Sequence, residues 1–419
     1  MATNAQNAAS HVHRMTSNLP PEEVLERLRP DHGALSPRVP GASLTSAEAI
    51  QRRWALLHGA ESARDLLWDG EDLAAYAGNI ENAIGEIRVP VAIAGPLRVN
   101  GSFAHGDYYV PLATTEAALV ASYTRGCQLL SEAGGCSALL LSEGVSRAPG
   151  FVFSDLVEVG AFVNWLLSQK ESFARVAEST TSHGKLLDMR LNVEGNHVYA
   201  IFEYYTADAA GQNMVTIATQ AVCDYIAEHS PVRPQHIFVE ANLSGDKKAS
   251  AQSFQTVRGR KVAAECLIPA ASLEKRLHAP AASLEEYWRM SALGGVLSGT
   301  IGVQGHFANG LAALFLATGQ DVACVSEAAV GVTRFEARPD GSLYATVTLP
   351  NVIVGSVGGG TKLPTQSACL DILGLKGAGH ARALAEVAAA LALAGELSII
   401  GALAAGHFTR AHRKLARND

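Results

Sequence analysis

The stretch "HVYAIFEYYTA", residues 197–207, is one of six segments whose order decides the fold. Over residues 150–243 the pattern predicts strand, helix, strand, strand, helix and strand, in the segments "GFVFSD" (150–155), "GAFVNWLLSQKESFARVAES" (160–179), "LLDMRLNVEG" (186–195), "HVYAIFEYYTA" (197–207), "NMVTIATQAVCDYIAEH" (213–229) and "HIFVEANL" (236–243). That order is typical of a split β-α-β, ferredoxin-like unit.

The segments on both sides of this unit share one Gly/Ala-rich apolar texture, so the unit reads as an insertion into a larger domain. The predicted class is α+β: a large mixed α/β domain with an inserted ferredoxin-like domain. An N-terminal helical region precedes it and a mobile C-terminal tail follows. The predicted boundaries are a flexible N-terminus (1–42), the helical region (43–78), the large domain (79–148 and 240–400), the insertion (149–239) and a C-terminal flap (401–419).

Composition narrows the function classes. The net charge of −7 argues against a broad nucleic-acid-binding face. Six cysteines are scattered without C-x-x-C spacing, which predicts reduced thiols in a cytoplasmic protein, with neither a disulfide framework nor a metal site. Residues 1–24 hold no apolar run of the secretory kind. The most apolar region, residues 384–406, is interrupted by Glu386 and Glu396, so it predicts a core helix and no membrane association.

A glycine-rich loop, "GSVGGGTK" (355–362), lies between an apolar run and a helix predicted near Thr365. A nucleotide-hydrolysing P-loop ends in Lys followed by Ser or Thr. Here Thr361 precedes Lys362 and Pro364 follows, so the roles that Lys and Ser or Thr have in a P-loop cannot be assigned to these residues. Two interpretations remain at this stage: a loop whose backbone N–H groups approach an anion, or a turn without a ligand.

Ionisable residues stand out in segments otherwise short of charge. Glu116 lies at a strand-to-helix junction, Asp246, Lys247 and Lys248 lie together in "LSGDKKAS", and Asp321 follows an apolar helix. Each also has a structural explanation. Glu116 suits a helix N-terminus, the charges at 246–248 suit a solvated loop, and Asp321 suits the turn after a helix C-terminus. In the tail, His407 and His412 lie among basic residues, which suits either a helix C-terminus or a mobile imidazole near an anion.

Seven motifs in one order are more specific than any of these residues alone. They are "ENAIGEIRVPVAIAGPL" (81–97), "VPLATTEAALVASYTRG" (110–126), "DAAGQNMV" (208–215), "GDKK" (245–248), "HFANGLAALFLATGQD" (306–321), "GSVGGGT" (355–361) and "LAGELSIIGALAAGH" (393–407). Together they closely resemble the catalytic part of the 3-hydroxy-3-methylglutaryl-coenzyme A (HMG-CoA) reductases, over residues 46–417. The resemblance is greatest to the biosynthetic class shared by eukaryotes and archaea.

The resemblance implies a four-electron reduction of HMG-CoA to mevalonate and coenzyme A with two NADPH. Lys247 is implied to hold the carbonyl oxygen, and Glu116 to act as general acid/base. Asp321 is implied to lie between them, and His412 to protonate the leaving thiolate. His407 matches a structural histidine of the family.

The resemblance also implies the binding residues. The residues expected to bind the substrate are Arg147, Lys248, Asn309, Ser122, Arg125 and Asp246. Of these, Ser122 and Arg125 are expected to face coenzyme A. The nicotinamide cofactor is expected to bind to the inserted domain and the glycine-rich loop. The residues expected to bind it are Asp208, Gly211, Asn213, Met214, Gly358, Gly359, Gly360 and Thr361. The site is expected at the subunit interface of a homodimer or homotetramer.

Two places in the chain depart from the family pattern. Glu171 and Ser172 stand where NADPH-using members often carry Ser-Arg, so NADH is also possible as the cofactor. Glu240, near the lysine loop, replaces an uncharged residue of many relatives and points to a changed acyl pocket. The alternatives are therefore a reductase of a related acyl-CoA thioester and a catalytically inactive acyl-CoA-binding homologue.

Overall fold

The structure is a computed structural model that describes residues 20, 22–23, 26, 28–30, 33–57 and 59–406. The chain divides into two compact units, residues 1–86 and residues 87–419. His407 and His412, with most of the predicted C-terminal flap, lie outside the described residues.

In the first unit, helices α1 (Ala47–Trp54) and α2 (Glu61–Leu67) precede a 3-10 turn at Ala74–Tyr76. Ser46 caps α1, because its hydroxyl accepts a hydrogen bond from the N–H of Ala49. The buried guanidinium of Arg53 donates to the carbonyls of Leu44 and Ala83, both at 2.6 Å. Residues 79–86 thus lie in this unit, whereas the predicted boundary follows residue 78.

The second unit holds all ten strands of the sheet. Its elements are β1 (Val91–Gly101), β2 (His105–Ala113), α3 (Leu119–Glu132), β3 (Cys136–Arg147), β4 (Gly150–Val152), α4 (Leu156–Ser168), α5 (Lys170–Glu178), β5 (Lys185–Glu194), β6 (His197–Tyr205), α6 (Gln212–His229), β7 (His236–Phe238), β8 (Gly259–Ile268), α7 (Ala270–Leu277), α8 (Ala281–Ser298), α9 (Phe307–Thr318), α10 (Val325–Ala328), β9 (Val332–Ala337), β10 (Leu343–Val352), α11 (Pro364–Leu373) and α12 (Ala381–Ala404).

Strands β4 to β7 and their helices form the ferredoxin-like unit. The spatial order is β7-β4-β6-β5, all antiparallel, which is the order 4-1-3-2 of a split β-α-β fold. The predicted α+β class is confirmed. The last strand is shorter than predicted, because the chain bends beyond it and Asn242 has a left-handed backbone with a φ of 66°.

Strand β3 joins this unit to the rest of the sheet, and no part of it was predicted. Its residues 137–144 pair with β8, while residues 145–147 pair with β6. The sheet continues through β8 to β10 and β9, with β1 parallel to β3 and β2 antiparallel to β1. The two parts nevertheless have separate hydrophobic cores, one centred on α12 and the other on Phe162, Phe173 and Phe202.

Helix α12 is the centre of the larger core, as predicted. It is long and apolar enough to cross a membrane, but 83% of its most apolar window is buried inside the protein. Its two acids are also buried and accept hydrogen bonds: Glu386 from the loop between β1 and β2, and Glu396 from the N–H groups of Gly305 and His306. Burying a carboxylate is tolerated when donors surround it.

Candidate active site

The loop between β7 and β8 places Lys247 opposite Asp321. The Lys247 ammonium lies 2.8 Å from Asp321 Oδ2, and both side chains are partly exposed. The hydrogen bond that Lys247 donates to the Asp321 carboxylate raises the pKa of Lys247, so the lysine remains a cation at neutral pH. The structure therefore provides a fixed positive charge that solvent can reach.

Asp321 is held in place by the end of α9. That helix stops at Gly319, whose φ of 69° suits glycine, and Asp321 then caps a 3-10 turn by accepting from the N–H of Ala323 at 3.0 Å. One carboxylate oxygen thus fixes the backbone while the other meets the lysine. Asp321 therefore has a structural role at the end of α9, and its catalytic role remains a prediction.

Glu116 lies at the opposite end of α9. Its oxygens accept from the side-chain amide of Asn309, at 3.2 and 3.3 Å, and its N–H donates to Thr114 Oγ1. Asn309 lies in the first turn of the twelve-residue α9, a helix about 18 Å long, whereas Asp321 follows its last turn. Within one chain, α9 therefore separates the Glu116–Asn309 pair from the Lys247–Asp321 pair, and the position of Asp321 between Lys247 and Glu116 across a subunit interface remains a prediction.

Arg147 lies beneath the lysine loop with a side chain only 6% exposed. Its Nη1 donates to Asp246 Oδ2 at 2.9 Å and contacts Glu240 Oε2 at 3.5 Å. Burial alone raises the pKa of Asp246, but Arg258 and Arg147 outweigh it and the pKa lies below its ordinary value. The buried Nε of Arg147 has no acceptor among the described residues, which leaves one donor for a ligand.

Sequence reasoning missed a buried ion pair behind this loop, between Arg258 and Glu327. Arg258 Nε donates to Glu327 Oε2 at 2.8 Å, and both side chains are almost fully buried. Burial raises the pKa of Glu327 to about 7, although Arg258 and the N–H of Lys247 oppose the rise. The available signal was Glu327 alone in the otherwise uncharged segment "VACVSEAAVG", whereas Arg258 stands among other charges in "VRGRKVAAE".

The two motifs predicted to bind the cofactor meet in the structure. Ala209 bridges Val357 in parallel, and the N–H of Ser356 donates to Asp208 O at 2.9 Å. Arg260, at the start of β8, binds the carbonyls of Ala207 and Val354, which precede the two motifs. The inserted domain and the glycine-rich loop thus form one surface.

That surface fits a dinucleotide pyrophosphate. Helix α6 starts after Gly211, whose φ is 79°, and no side chain among the described residues caps it, so its first N–H groups can meet an anion. Gly358 and Gly359 have φ values of 77° and 51°, and a Cβ on either would meet nothing within 4 Å. Gly360 packs against the backbone of Gly319, two residues before Asp321, so the loop adjoins the lysine–aspartate pair.

Several predicted binding residues have partners within the chain. Ser122 and Arg125 both bind Ser398 of α12, and Asp208 accepts from the N–H groups of Gly379 and Ala381. Three further residues also make contacts within the chain: Lys248 donates to the carbonyl of Asp246, Met214 accepts from Thr181 at its sulfur, and Thr361 donates to the carbonyl of Gly358. The Asn213 side chain is exposed. Their ligand-binding roles remain predictions.

A fixed ammonium beside a glycine-rich loop, on a sheet with a ferredoxin-like insertion, is an arrangement that suits an oxidoreductase acting on a carbonyl group with a dinucleotide cofactor. The sequence profile described as "Hydroxymethylglutaryl-coenzyme A reductase" matches residues 49–417. The chain is also 46% identical to the 3-hydroxy-3-methylglutaryl-coenzyme A reductase of Haloferax volcanii over 344 residues, covering 81% of this chain and 85% of that protein. For the reductase of Methanocaldococcus jannaschii the identity is 41% over 346 residues, with the same coverages. The chain belongs to the hydroxymethylglutaryl-coenzyme A reductase family.

Solved structures support the fold alone. The class II 3-hydroxy-3-methylglutaryl-CoA reductase of Streptococcus pneumoniae, bound to NADPH in open conformations, matches with a TM-score of 0.63 at 17% identity. The match covers 96% of this chain and 97% of that chain.

Proposed function

We propose that the protein reduces HMG-CoA to mevalonate and free coenzyme A with two NADPH, in isoprenoid precursor synthesis, as a member of the biosynthetic class. The observation that carries the proposal is the Lys247–Asp321 contact of 2.8 Å beside the joined cofactor motifs. The high identity to archaeal reductases supports the class assignment.

The chain's own residues supply charge and protons, while a bound nicotinamide supplies the hydride. Lys247 stabilises negative charge on the carbonyl oxygen, and Asp321 fixes the direction of its ammonium. Glu116 exchanges a proton with the same oxygen, and Asn309 orients its carboxylate. His412, outside the described residues, protonates the thiolate of the departing coenzyme A.

We infer that two subunits complete each site. Within one chain, α9 holds the Glu116–Asn309 pair and the Lys247–Asp321 pair at opposite ends, so a second copy is needed to bring one pair to the other. Exposed apolar side chains on α8 support self-association: Met290, Leu293, Val296 and Leu297 are 61–80% exposed.

Subunit complementation tests this arrangement. Glu116→Ala and Lys247→Ala chains carrying different tags are co-expressed, and the mixed dimer is isolated. One of its two sites then has both residues intact, so the mixed dimer should recover about half of the wild-type activity per dimer. If the mixed dimer is as inactive as the two parent variants, both residues act from the same chain and the shared-site inference fails.

The cofactor preference depends on the surroundings of Glu171. Ser172 accepts a hydrogen bond from Arg175 at 3.1 Å, so one cation lies close enough to meet a 2'-phosphate. This contact supports NADPH despite the carboxylate at Glu171. Replacing Glu171-Ser172 with Ser-Arg should raise kcat/KM for NADPH relative to NADH, and an unchanged ratio would mean that the 2' position is recognised elsewhere.

The direct test is nicotinamide oxidation with HMG-CoA, followed separately with NADPH and NADH while released thiol is titrated. Two cofactors consumed per thiol released would establish the four-electron reduction. Absence of oxidation by a folded oligomer would contradict the proposed function.

A second candidate substrate is a related acyl-CoA thioester, because Glu240 contacts the arginine expected to bind the substrate carboxylate. Glu240 also accepts from the N–H of Asn242 at 2.8 Å, which fixes its position. If HMG-CoA is the substrate, Glu240→Gln should lower its KM, since one repelling charge is removed. A rise in KM would show that Glu240 instead helps to recognise the acyl group.

We also infer a cytoplasmic location. The six cysteines are free and buried, as expected of a protein kept in a reducing compartment.

A further inference from the structure

The catalytic lysine lies on a backbone that needs support. Lys247 has a φ of 54°, in the left-handed region that residues with a side chain seldom adopt. Gly245, two residues earlier, has a φ of 76°. The N–H of Lys247 donates to Glu327 Oε1 at 3.2 Å, so a buried carboxylate holds the backbone of the residue whose side chain meets Asp321.

Glu327 lies on the short helix α10 and is itself fixed. Its side chain has no exposed surface, and its second oxygen accepts from Arg258 Nε at 2.8 Å. An ion pair buried to this degree keeps a narrow geometry, because any displacement leaves a charge without a partner. The carboxylate therefore cannot follow the lysine loop if that loop shifts.

Arg258 connects this pair to the substrate and cofactor sides of the site. Its Nη1 donates to Ser146 O at 2.7 Å, next to Arg147 in the chain. Its Nη2 donates to Gln212 Oε1 at 2.6 Å and also contacts Asp246 Oδ1. Gln212 is the first residue of α6, within the motif predicted to bind the cofactor. One guanidinium thus links the lysine loop, the end of β3 and the start of α6.

We propose that Glu327, held by Arg258, is a positioning residue that sets the lysine loop so that the Lys247 ammonium faces Asp321. This inference rests on the proposed function, since it assigns the loop its task in the reduction. Glu327 contacts the main chain of Lys247, not the reacting atoms, so its removal should change kcat and leave cofactor binding intact.

The decisive variant is Glu327→Asp. It keeps the charge that Arg258 needs, but its side chain is one methylene shorter and cannot hold both Arg258 and the Lys247 N–H. Loss of the second contact should lower kcat by about 100-fold, with KM for NADPH unchanged, because a misplacement of about 1 Å has such an effect in an active site. Glu327→Gln, which keeps the length but not the charge, is the second variant and should recover part of the activity if the N–H contact is what matters.

A matched control is Glu285→Asp. Glu285 also accepts from a main-chain N–H, that of Ala337 at 3.1 Å, and also pairs with an arginine, Arg289 at 2.6 Å, but it belongs to α8. Its shortening should leave kcat within about 2-fold of wild type, since surface-proximal pairs contribute little. Circular dichroism and the melting temperature establish that each variant is folded.

A double-mutant cycle separates positioning from general weakening. In a Lys247→Ala background, Glu327→Asp should cause little further loss in kcat, because both changes affect one interaction. If the kcat of the double variant is reduced by the product of the two single reductions, the proposal is overturned. A wild-type kcat in Glu327→Asp would also overturn it. If Glu327→Asp does not fold, Glu327→Gln takes its place in the Lys247→Ala background, and a loss in kcat there equal to its loss in wild type would overturn the proposal. Wild-type protein without HMG-CoA-dependent oxidation would refute the proposed function instead, which is a distinguishable result.

Discussion

The removal of Glu386 offers a demanding test of how the larger core is held together. Its carboxylate accepts from the N–H groups of Phe103 and Ala104 at 2.8 and 2.7 Å, from Ser102 Oγ at 2.6 Å and from the N–H of Leu140 at 3.3 Å. The side chain has no exposed surface. Glu386→Ala therefore leaves all of these donors without their acceptor.

The expected loss follows from which donors water can reach. Ser102 and Phe103 are exposed, so water replaces their lost bonds at a cost of about 1 kcal/mol together. Ala104 is fully buried and Leu140 is half-buried, and a shielded donor without a partner costs about 1–3 kcal/mol. The sum is about 4 kcal/mol, at the upper end for a single substitution. Glu386→Gln keeps one acceptor oxygen and should lose about half as much.

The assay is urea unfolding followed by circular dichroism at a fixed protein concentration, with the slope m compared between variants. Glu228→Ala, at an exposed α6 position, is the control and should change the free energy of unfolding by less than about 0.5 kcal/mol. A loss below about 1 kcal/mol for Glu386→Ala would refute the reasoning, because it would mean that the buried donors find other acceptors.

Three further predictions concern the site and the packing around it. Asp321→Asn should lower kcat for HMG-CoA about 100-fold, because the lysine loses the carboxylate that directs its charge; a kcat within about 2-fold of wild type would contradict this. Burial raises the pKa of Glu327 to about 7, although Arg258 faces it, so the contribution of Glu327 to stability falls as pH rises from about 4.5 through about 7. The free energy of unfolding of Glu327→Gln should therefore gain about 3 kcal/mol relative to wild type between about pH 5 and pH 8. No relative change would contradict this prediction. Gly126→Ala should destabilise the protein by about 1–3 kcal/mol in urea unfolding, because its Cβ overlaps the backbone of α12, whereas Gly160→Ala on α4 has open space and should not; equal effects would disprove the close helix contact.

Local patterns carried much of the prediction. The strand-to-helix junction predicted at Glu116 lies between β2 and α3. Helix α12 was predicted as a core helix from its two acids, and both acids are buried and bound by donors. Helix α3 begins three residues later than Glu116, because Ala118 has a φ of 67° and interrupts the helix.

Other features depended on contacts between distant segments. Strand β3 was missed because its two halves pair with different partners, and no local pattern reports which partner a strand meets. The Arg258–Glu327 pair joins residues 69 positions apart, and nothing in either local segment indicates that the two side chains meet. Several predicted binding residues, Ser122 and Arg125 among them, proved to have a partner on α12.

The sequence by itself determined the class of fold, the family and the identities of the chemical groups, because these depend on local propensity and on motifs read in order. The tertiary structure alone decided how those groups are distributed. It brings Lys247 to Asp321 and joins the two cofactor motifs, but it leaves Glu116 at the far end of α9. The physical reason is that a helix is a rigid spacer with a fixed rise per residue. Helix α9 therefore keeps Asn309 and Asp321 of one motif apart, while Lys247 from a distant loop meets Asp321.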